Sequence, residues 1–219
     1  MLLRLLAGLI HPDDGEVHYG GKKVKKLTQV VNIGLSIENI GLYDDMTVYQ
    51  NMKYYAKLSG GCDKRKIEET LQRMGLTDRK NMRFAKLSLG LKQKAVLAQA
   101  ILLSPDLLLL DEPTTYLDIA YQVEILDLLM ELNKKRGTTI LMVLHDINLS
   151  ARYADHIFAM SKGKLIAQGA PSKVISRELM KEIYGLDCQI IEDPVSGTPL
   201  IVPEGRYHKE AQNEKSFCA

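Results

Sequence analysis

The chain has 219 residues, with 29 basic and 27 acidic side chains and a formal net charge of +2. This length suits one domain with a sizeable core, or one domain with a small appended subdomain. The near-neutral charge gives no electrostatic reason to expect a nucleic-acid partner or direct binding to an anionic membrane. No apolar run approaches the ~20 residues that span a bilayer, so we expect a soluble chain whose membrane role, if any, passes through a partner.

The first third of the chain predicts short elements followed by two helices. Residues 2–10 predict an apolar helix, and residues 16–19 predict a strand that ends in a tight glycine turn. The β-branched segment 30–37 predicts a second strand. Residues 47–58 predict a helix capped by a threonine, and residues 64–74 predict a charged amphipathic helix.

The central feature is the segment of four consecutive leucines, residues 107–110, that is followed by Asp111, Glu112 and Pro113. A strand without polar alternation is buried on both faces, which is typical of a parallel sheet covered by helices. Pro113 prevents a helix from continuing through the carboxylates. Because ligands bind at the carboxyl edge of such sheets, Asp111 is a candidate Mg²⁺ ligand and Glu112 a candidate base for an attacking water. The alternative is a strand that ends in two solvated acids.

The remaining pattern alternates helices and strands. In chain order it predicts a helix over 92–103, a helix over 117–136 capped by Gly137, a strand over 138–144, a helix over 148–154, an antiparallel pair formed by 157–160 and 164–168, one helix over 171–184, and a hairpin over 187–203.

Three chemically reactive points lie at predicted strand ends. Glu38, the Asp111–Glu112 pair and His145 each follow a strand, and parallel strand ends share one edge of the sheet. Residues far apart in sequence are therefore expected to meet around one ligand. His145 is suited to sense or polarise a phosphate, although a hydrogen-bonded histidine at the edge of the core is equally compatible with this position.

Ser88 and Gly90 precede a predicted helix. A hydroxyl and free backbone N–H groups at the positive end of a helix dipole form a good anion site. The alternative is an ordinary N-cap.

Four motifs in order carry a family resemblance. Residues 87–93, 107–113, 114–118 and 143–146 resemble the signature motif, Walker B strand, D-loop and switch histidine of ABC transporter ATP-binding subunits. The resemblance implies an α/β, P-loop NTPase-like fold with a mostly parallel sheet flanked by helices. It places a nucleotide-binding domain over residues 1–205, with a helical subdomain at about 41–104, C-terminal strands and a helix at about 157–205, and a polar tail over 206–219.

The resemblance also implies cofactors, partners and residue roles. ATP and Mg²⁺ would be held between two ATP-binding subunits, identical or paralogous, arranged head to tail, with transmembrane permease subunits as the other partners and no nucleic acid. The subunit would lie peripherally at the cytoplasmic face of the cell membrane. By this analogy Asp111 organises Mg²⁺, Glu112 is the catalytic base, His145 contacts the γ-phosphate, Ser88 and Gly90 contact ATP across the dimer, and Asp118 couples the two sites.

One family element has no match in the 219 residues. The Walker A loop, Gly-x-x-x-x-Gly-Lys-[Ser/Thr], normally cradles the phosphates. The segment from Gly15 to Lys22 fails because Gly15 stands six residues before Gly21 instead of five, and Lys23 follows. Residues 1–8 instead resemble the helix that begins inside that loop. A shortened gene model, a truncated gene or a partial fragment would each account for this, and we expect residues 1–219 alone not to hydrolyse ATP at a useful rate.

The N-terminal half of the sequence resembles exporters, and the C-terminal half resembles importers. Glu38 stands where the family usually has glutamine and would still ligate Mg²⁺. Its surroundings, residues 33–39 and 42–48, are similar to bacitracin and lantibiotic self-protection exporters. Residues 117–122, 145–155, 164–174 and 193–203 resemble iron-siderophore importer ATPases. We favour the importer, with the exporter and a non-hydrolysing binding or regulatory module as alternatives.

Overall fold

A computed structural model describes residues 1–24, 27–37, 41–61 and 63–205. The chain divides into two compact units, Met1–Val143 and Leu144–Ala219, and each is described by itself. The candidate metal ligand Glu38 and the polar tail at 206–219 lie outside the described residues.

The first unit contains helices, a parallel sheet and one short hairpin. Its elements in chain order are α1 (Leu2–Leu6), β1 (Val17–Tyr19), β2 (Lys22–Val24), β3 (Ile33–Ser36), α2 (Val48–Leu58), α3 (Lys64–Arg73), α4 (Leu89–Ile101), β4 (Leu107–Asp111), α5 (Ile119–Arg136) and β5 (Thr139–Val143). Short 3-10 helices lie at Leu27–Gln29, Thr77–Arg79 and Phe84–Lys86.

The central sheet has the order β3-β4-β5, and both of its pairings are parallel. Residues 108–110 of β4 are fully buried. On one face, Leu3 and Ala7 at the N-terminal helix form a core cluster with Leu109. Since successive side chains of a strand point to opposite faces, Leu108 and Leu110 point to the other face, where α4 packs on β3 and Ala100 and Leu108 lie close to Gly34. The predicted double burial of this strand is confirmed.

Gly34 explains how closely α4 approaches the sheet. A Cβ at this position of β3 would lie 2.2 Å from the carbonyl oxygen of Ala100 and 2.8 Å from Cδ1 of Leu108. It would also lie 2.9 Å from Cγ of Pro105. Only glycine therefore allows the backbone of α4 to pack directly on β3.

Helix α2 is tied to the loop before it by polar contacts. Thr47 is its N-cap and forms a capping box with Gln50, as the threonine in the sequence indicates. Asn51 is fully buried, and its amide oxygen accepts a hydrogen bond from the backbone N–H of Tyr43 at 2.7 Å. Its amide nitrogen donates to the carbonyls of Tyr43 and Thr47 at 3.0 and 3.1 Å. A buried amide that satisfies these backbone groups fixes the loop against the helix.

Several predicted boundaries were wrong. Helix α1 ends at Leu6 instead of residue 10, and β3 begins at Ile33 because the backbone N–H groups of residues 30 and 31 are used by the turn of Leu27–Gln29. Helix α4 begins three residues earlier than predicted because Ser88 is its N-cap. The segment 171–184 forms two helices, since Ile175 is extended and the following serine caps a new helix.

The second unit consists of small helices packed on two hairpins. Its elements in chain order are α6 (Ile147–Tyr153), β6 (Ile157–Ser161), β7 (Lys164–Gly169), α7 (Pro171–Val174), α8 (Arg177–Tyr184), β8 (Cys188–Glu192) and β9 (Pro199–Pro203). Strands β6 and β7 pair antiparallel, as do β8 and β9, which confirms both predicted hairpins. Its core contains Ala151, Val174, Ile175, Leu179, Met180, Cys188 and Ile201.

Two polar contacts join α6 to the β8–β9 hairpin. Asn148 donates to the carbonyl of Ile201 at 3.1 Å and accepts from its N–H at 2.8 Å. Arg152 donates through Nε to the buried carboxylate of Asp193 at 3.0 Å. The backbone N–H of Val195 and the Arg152 guanidinium lower the pKa of Asp193 to about 2. The carboxylate therefore remains charged while it holds the hairpin turn.

Candidate functional site

The carboxylate pair lies where β4 leaves the sheet. Asp111 is the last residue of the strand, is half-buried and pairs with Val143 of β5. Glu112 follows in the left-handed region with φ 50°. Its Oε2 accepts a hydrogen bond from the hydroxyl of Thr115 at 3.0 Å, and its carbonyl accepts from the Thr115 N–H at 3.3 Å. A strained backbone held by such contacts at a carboxyl edge is typical of a functional turn.

The donor set at this edge suits Mg²⁺ that arrives with phosphates. Carboxylate oxygens are its preferred protein ligands, and it is usually held by one or two of them together with substrate phosphates. In the parts of the chain that the structure describes, no group of three or more His, Cys, Asp or Glu side chains is placed to hold a metal ion. The role of Asp111 as a Mg²⁺ ligand stays a prediction.

The signature segment forms the start of α4. Ser88 is its exposed N-cap, and its Oγ accepts from the backbone N–H of Leu91 at 3.5 Å. The hydroxyl can still donate a hydrogen bond to a ligand, so a cap and an anion contact are compatible. Gly90 is buried, and a Cβ there would lie 3.3 Å from Cδ1 of Tyr121. The ring of Tyr121 therefore packs on the signature glycine.

The D-loop leads into α5. Asp118 is the N-cap of that helix, and its Oδ1 accepts from the N–H of Tyr121 at 3.0 Å. Tyr116 is 87% exposed at φ 63°, and Ile119 is 79% exposed. Large apolar side chains exposed on both sides of Asp118, with Leu89 exposed near the start of α4, are typical of a surface that meets another protein.

Sequence reasoning gave no role to four residues that support these motifs. Lys94 is buried, forms a 2.6 Å ion pair with Glu124, and lies 5.3 Å from the centre of the Tyr121 ring. It therefore connects the signature helix to α5. Spacing could have indicated only that Tyr121 and Glu124 share one face of α5, because they lie three residues apart. Thr115 likewise stands three residues after Glu112, a distance that suits a turn.

The structure brings some predicted site residues together. Through Tyr121 it places Gly90 beside the helix that Asp118 caps, and it places Asp111 next to Glu112 at the end of β4. His145 is the second residue of the second unit, and its contact with a phosphate stays a prediction.

Two further observations concern the Walker A look-alike and the length and apolar character of the helices. The Walker A look-alike that begins at Gly15 continues into the β1–β2 hairpin, whose turn contains Gly20 and Gly21 at positive φ. That segment does not lead into a helix and is not a phosphate loop. Over the described ranges, no helix has both the length and the apolar character needed to cross a membrane.

Comparison with known proteins agrees with these motifs. The ABC transporter family profile matches residues 1–115. The ferric enterobactin transport ATP-binding protein FepC of Escherichia coli (strain K12) is 39% identical over 228 residues, covering 97% of this chain and 82% of that protein. The probable siderophore transport system ATP-binding protein YusV of Bacillus subtilis (strain 168) is 40% identical over 215 residues, covering 94% and 78%.

A solved structure gives the same fold. The ATP-binding cassette MJ0796, a dimer in a post-hydrolysis state bound to ADP and Pi, superposes with a TM-score of 0.68 at 26% identity. The match covers 77% of this chain and 78% of the cassette. The parallel sheet and the half-buried carboxylates at its edge are consistent with the family that these relatives share. The chain belongs to the ATP-binding proteins of the ABC transporter family.

Proposed function

We propose that this chain serves as the ATP-binding and hydrolysing subunit of an ABC importer for iron-siderophore complexes, and that residues 1–219 by themselves are impaired in hydrolysis because they contain no Walker A loop. The observation that carries the proposal is the Asp111–Glu112 pair at the end of β4, in a chain that aligns over 97% of its length with a ferric enterobactin transport ATP-binding protein. Relatives named for petrobactin and iron(3+)-hydroxamate import, at 36% and 31% identity, support the same class of substrate.

In this proposal the carboxylates of Glu112 and Asp111 have different chemical roles. Glu112 accepts a proton from the attacking water, and its hydrogen bond from Thr115 holds the carboxylate in one orientation. Asp111, with Glu38 as the second candidate, would hold Mg²⁺. When bound, that ion neutralises developing charge on the phosphates.

The remaining roles need a second subunit. Ser88 and Gly90 would contact the phosphates of ATP bound by the partner subunit, and the dimeric cassette with ADP and Pi supports such an arrangement. Asp118 would couple the two sites, because its carboxylate caps α5 beside the exposed Tyr116. His145 would contact the γ-phosphate.

Transport also needs permease subunits at the cytoplasmic face of the cell membrane. The helical subdomain at about residues 41–104 is the proposed contact surface. Its loop and α2 present an aromatic cluster in which the rings of Tyr43 and Tyr54 meet edge to face at 5.1 Å. Tyr43 is 44% exposed and is therefore accessible to a partner.

The first test asks which permease the chain binds. The chain would be co-expressed with the permease subunits of a siderophore importer or, separately, with those of a peptide-antibiotic exporter, and each complex purified in detergent. We expect association with the importer permease that weakens when Tyr43 and Tyr54 are both replaced by alanine. Association with the exporter permease alone would overturn the proposed direction, and association with neither would contradict the proposed role as a transporter subunit.

A second test concerns hydrolysis. Residues 1–219 expressed alone should show no Mg²⁺-dependent ATP turnover, because the phosphate-binding loop is not among them. Fusing a strand and a Gly-x-x-x-x-Gly-Lys-Ser loop in front of Met1 should produce turnover that Glu112→Gln lowers about 100-fold or more. Glu68→Gln, the same change on α3, is the matched control. Turnover by residues 1–219 alone, abolished by Glu112→Gln, would contradict the first expectation.

A further inference from the structure

A charged cavity of about 230 Å³ lies in the first unit, lined by α3 and its N-cap, the C-terminal end of α4 with the turn that follows it, and the last residue of α5. Drug-sized ligands usually occupy ~300–1,000 Å³, so this space suits a smaller ligand. Its charged lining consists of Arg65, Lys66, Arg73, Arg136, Asp63 and Glu69.

Both acids of the cavity already have partners. Asp63 caps α3 by accepting from the N–H of Arg65 at 3.2 Å, and Glu69 is bound by the Arg65 guanidinium at 3.3 Å. With four cations against two carboxylates, the lining carries a net charge of +2. An excess of this sign attracts an anion with two charges.

Arg136 is held towards the cavity by an unusual residue. Its Nη1 donates to Oγ of Ser104 at 2.8 Å. Ser104 adopts φ 52°, a left-handed conformation that costs free energy for serine and little for glycine. The hydroxyl of Ser104 gives a reason for serine instead of glycine at this position, because it accepts the hydrogen bond that orients the Arg136 guanidinium.

We propose that this cavity binds a phosphate dianion, either inorganic phosphate or a phosphate monoester headgroup, with Arg136 as the main ligand. A guanidinium offers two parallel N–H donors that match phosphate oxygens, and Ser104 sets its direction. The charge of Arg73 is shared with Glu131, whose pKa is lowered chiefly by its hydrogen bond to Lys135 and more weakly by Arg73. The main contact is therefore assigned to Arg136. The inference does not depend on the proposed transport function.

The test is calorimetric titration of residues 1–219 with inorganic phosphate at constant ionic strength. We expect saturable binding that Arg136→Gln weakens about tenfold. Arg79→Gln removes an exposed charge outside the cavity and should change the dissociation constant by less than about twofold. Ser104→Gly should weaken binding several-fold while the melting temperature stays unchanged or rises, because glycine relieves the strained φ.

The outcomes distinguish a lipid headgroup from a soluble phosphate and show whether the cavity is the binding site. If vesicles of phosphatidylcholine with phosphatidic acid bind in an Arg136-dependent way and inorganic phosphate does not, the ligand is a lipid headgroup. If inorganic phosphate binds alone, it is a soluble phosphate. Equal weakening by Arg136→Gln and Arg79→Gln would overturn the proposal, as would the absence of saturable binding of either probe or unchanged affinity in Ser104→Gly.

Discussion

Replacing Gly34 by alanine tests the packing that places the signature helix on the sheet. The added Cβ would meet the carbonyl oxygen of Ala100 at 2.2 Å, whereas real Cβ atoms essentially never approach another atom within 3.0 Å. Relief requires α4 and β3 to separate by at least about 0.8 Å along that contact. The obstacle is backbone, so no side-chain rotation removes it.

The expected cost follows from this geometry. Overpacking a core usually costs 1–3 kcal/mol, and because two further atoms lie under 3.0 Å we expect about 3 kcal/mol or more. Urea unfolding followed by circular dichroism measures it as a lower midpoint with an unchanged slope.

A matched control is available in the same unit. Gly41 has no atom within 4 Å of an added Cβ and no positive φ, so Gly41→Ala should leave stability within about 1 kcal/mol of the original chain or raise it slightly. If Gly34→Ala costs less than about 1 kcal/mol, or no more than Gly41→Ala, the close approach of α4 to β3 is refuted.

Three further predictions concern single contacts. Asn51→Ala should cost about 2–4 kcal/mol in urea unfolding, because it leaves buried backbone groups of the preceding loop without their hydrogen bonds, and a cost below 1 kcal/mol would contradict the description of this network. Since the pKa of Asp193 is lowered from 3.8 to about 2, the stability that it provides with Arg152 is present above pH 3.8 and is lost as the pH falls towards 2. Asp193→Asn should lower the melting temperature at pH 5, and the difference should shrink by pH 2; a constant difference would argue against ionisation as the cause. Gly90→Ala should cost less than about 1 kcal/mol, because the tyrosine ring at 3.3 Å can shift by a few tenths of an ångström, and a larger loss of stability would show that the ring is rigidly held.

Sequence reasoning correctly predicted the strands and helix ends whose residue pattern is compatible with a single local structure. Four leucines before two acids and a proline left few alternatives to a buried parallel strand, and β4 is one. Thr47 and Gly137 were correctly placed as helix caps, because each satisfies backbone groups by local geometry. The break near Ile175 was missed, since the segment contains neither glycine nor a second proline to mark it.

The candidate site was less accessible to sequence reasoning. Motif order indicated Ser88, Asp111 and Asp118 as candidates, and the contacts of Ser88 with Leu91 and of Asp118 with Tyr121 are local. The packing of α4 against α5 instead depends on residues distant in sequence. Nothing local in the sequence indicates that Lys94 of α4 would lie beside the ring of Tyr121 in α5. The left-handed φ of Glu112 is also unusual for a glutamate, so it could not be expected from residue preference.

The paired hydrogen bonds between Asn148 and Ile201 have a consequence for solubility. An asparagine side chain that both donates to and accepts from one strand residue imitates a neighbouring peptide unit. It thereby occupies hydrogen-bonding groups on the outer edge of β9 that another chain could otherwise use to extend the sheet. The side chain therefore blocks strand pairing at this position of β9, which disfavours intermolecular β-sheet formation by the hairpin.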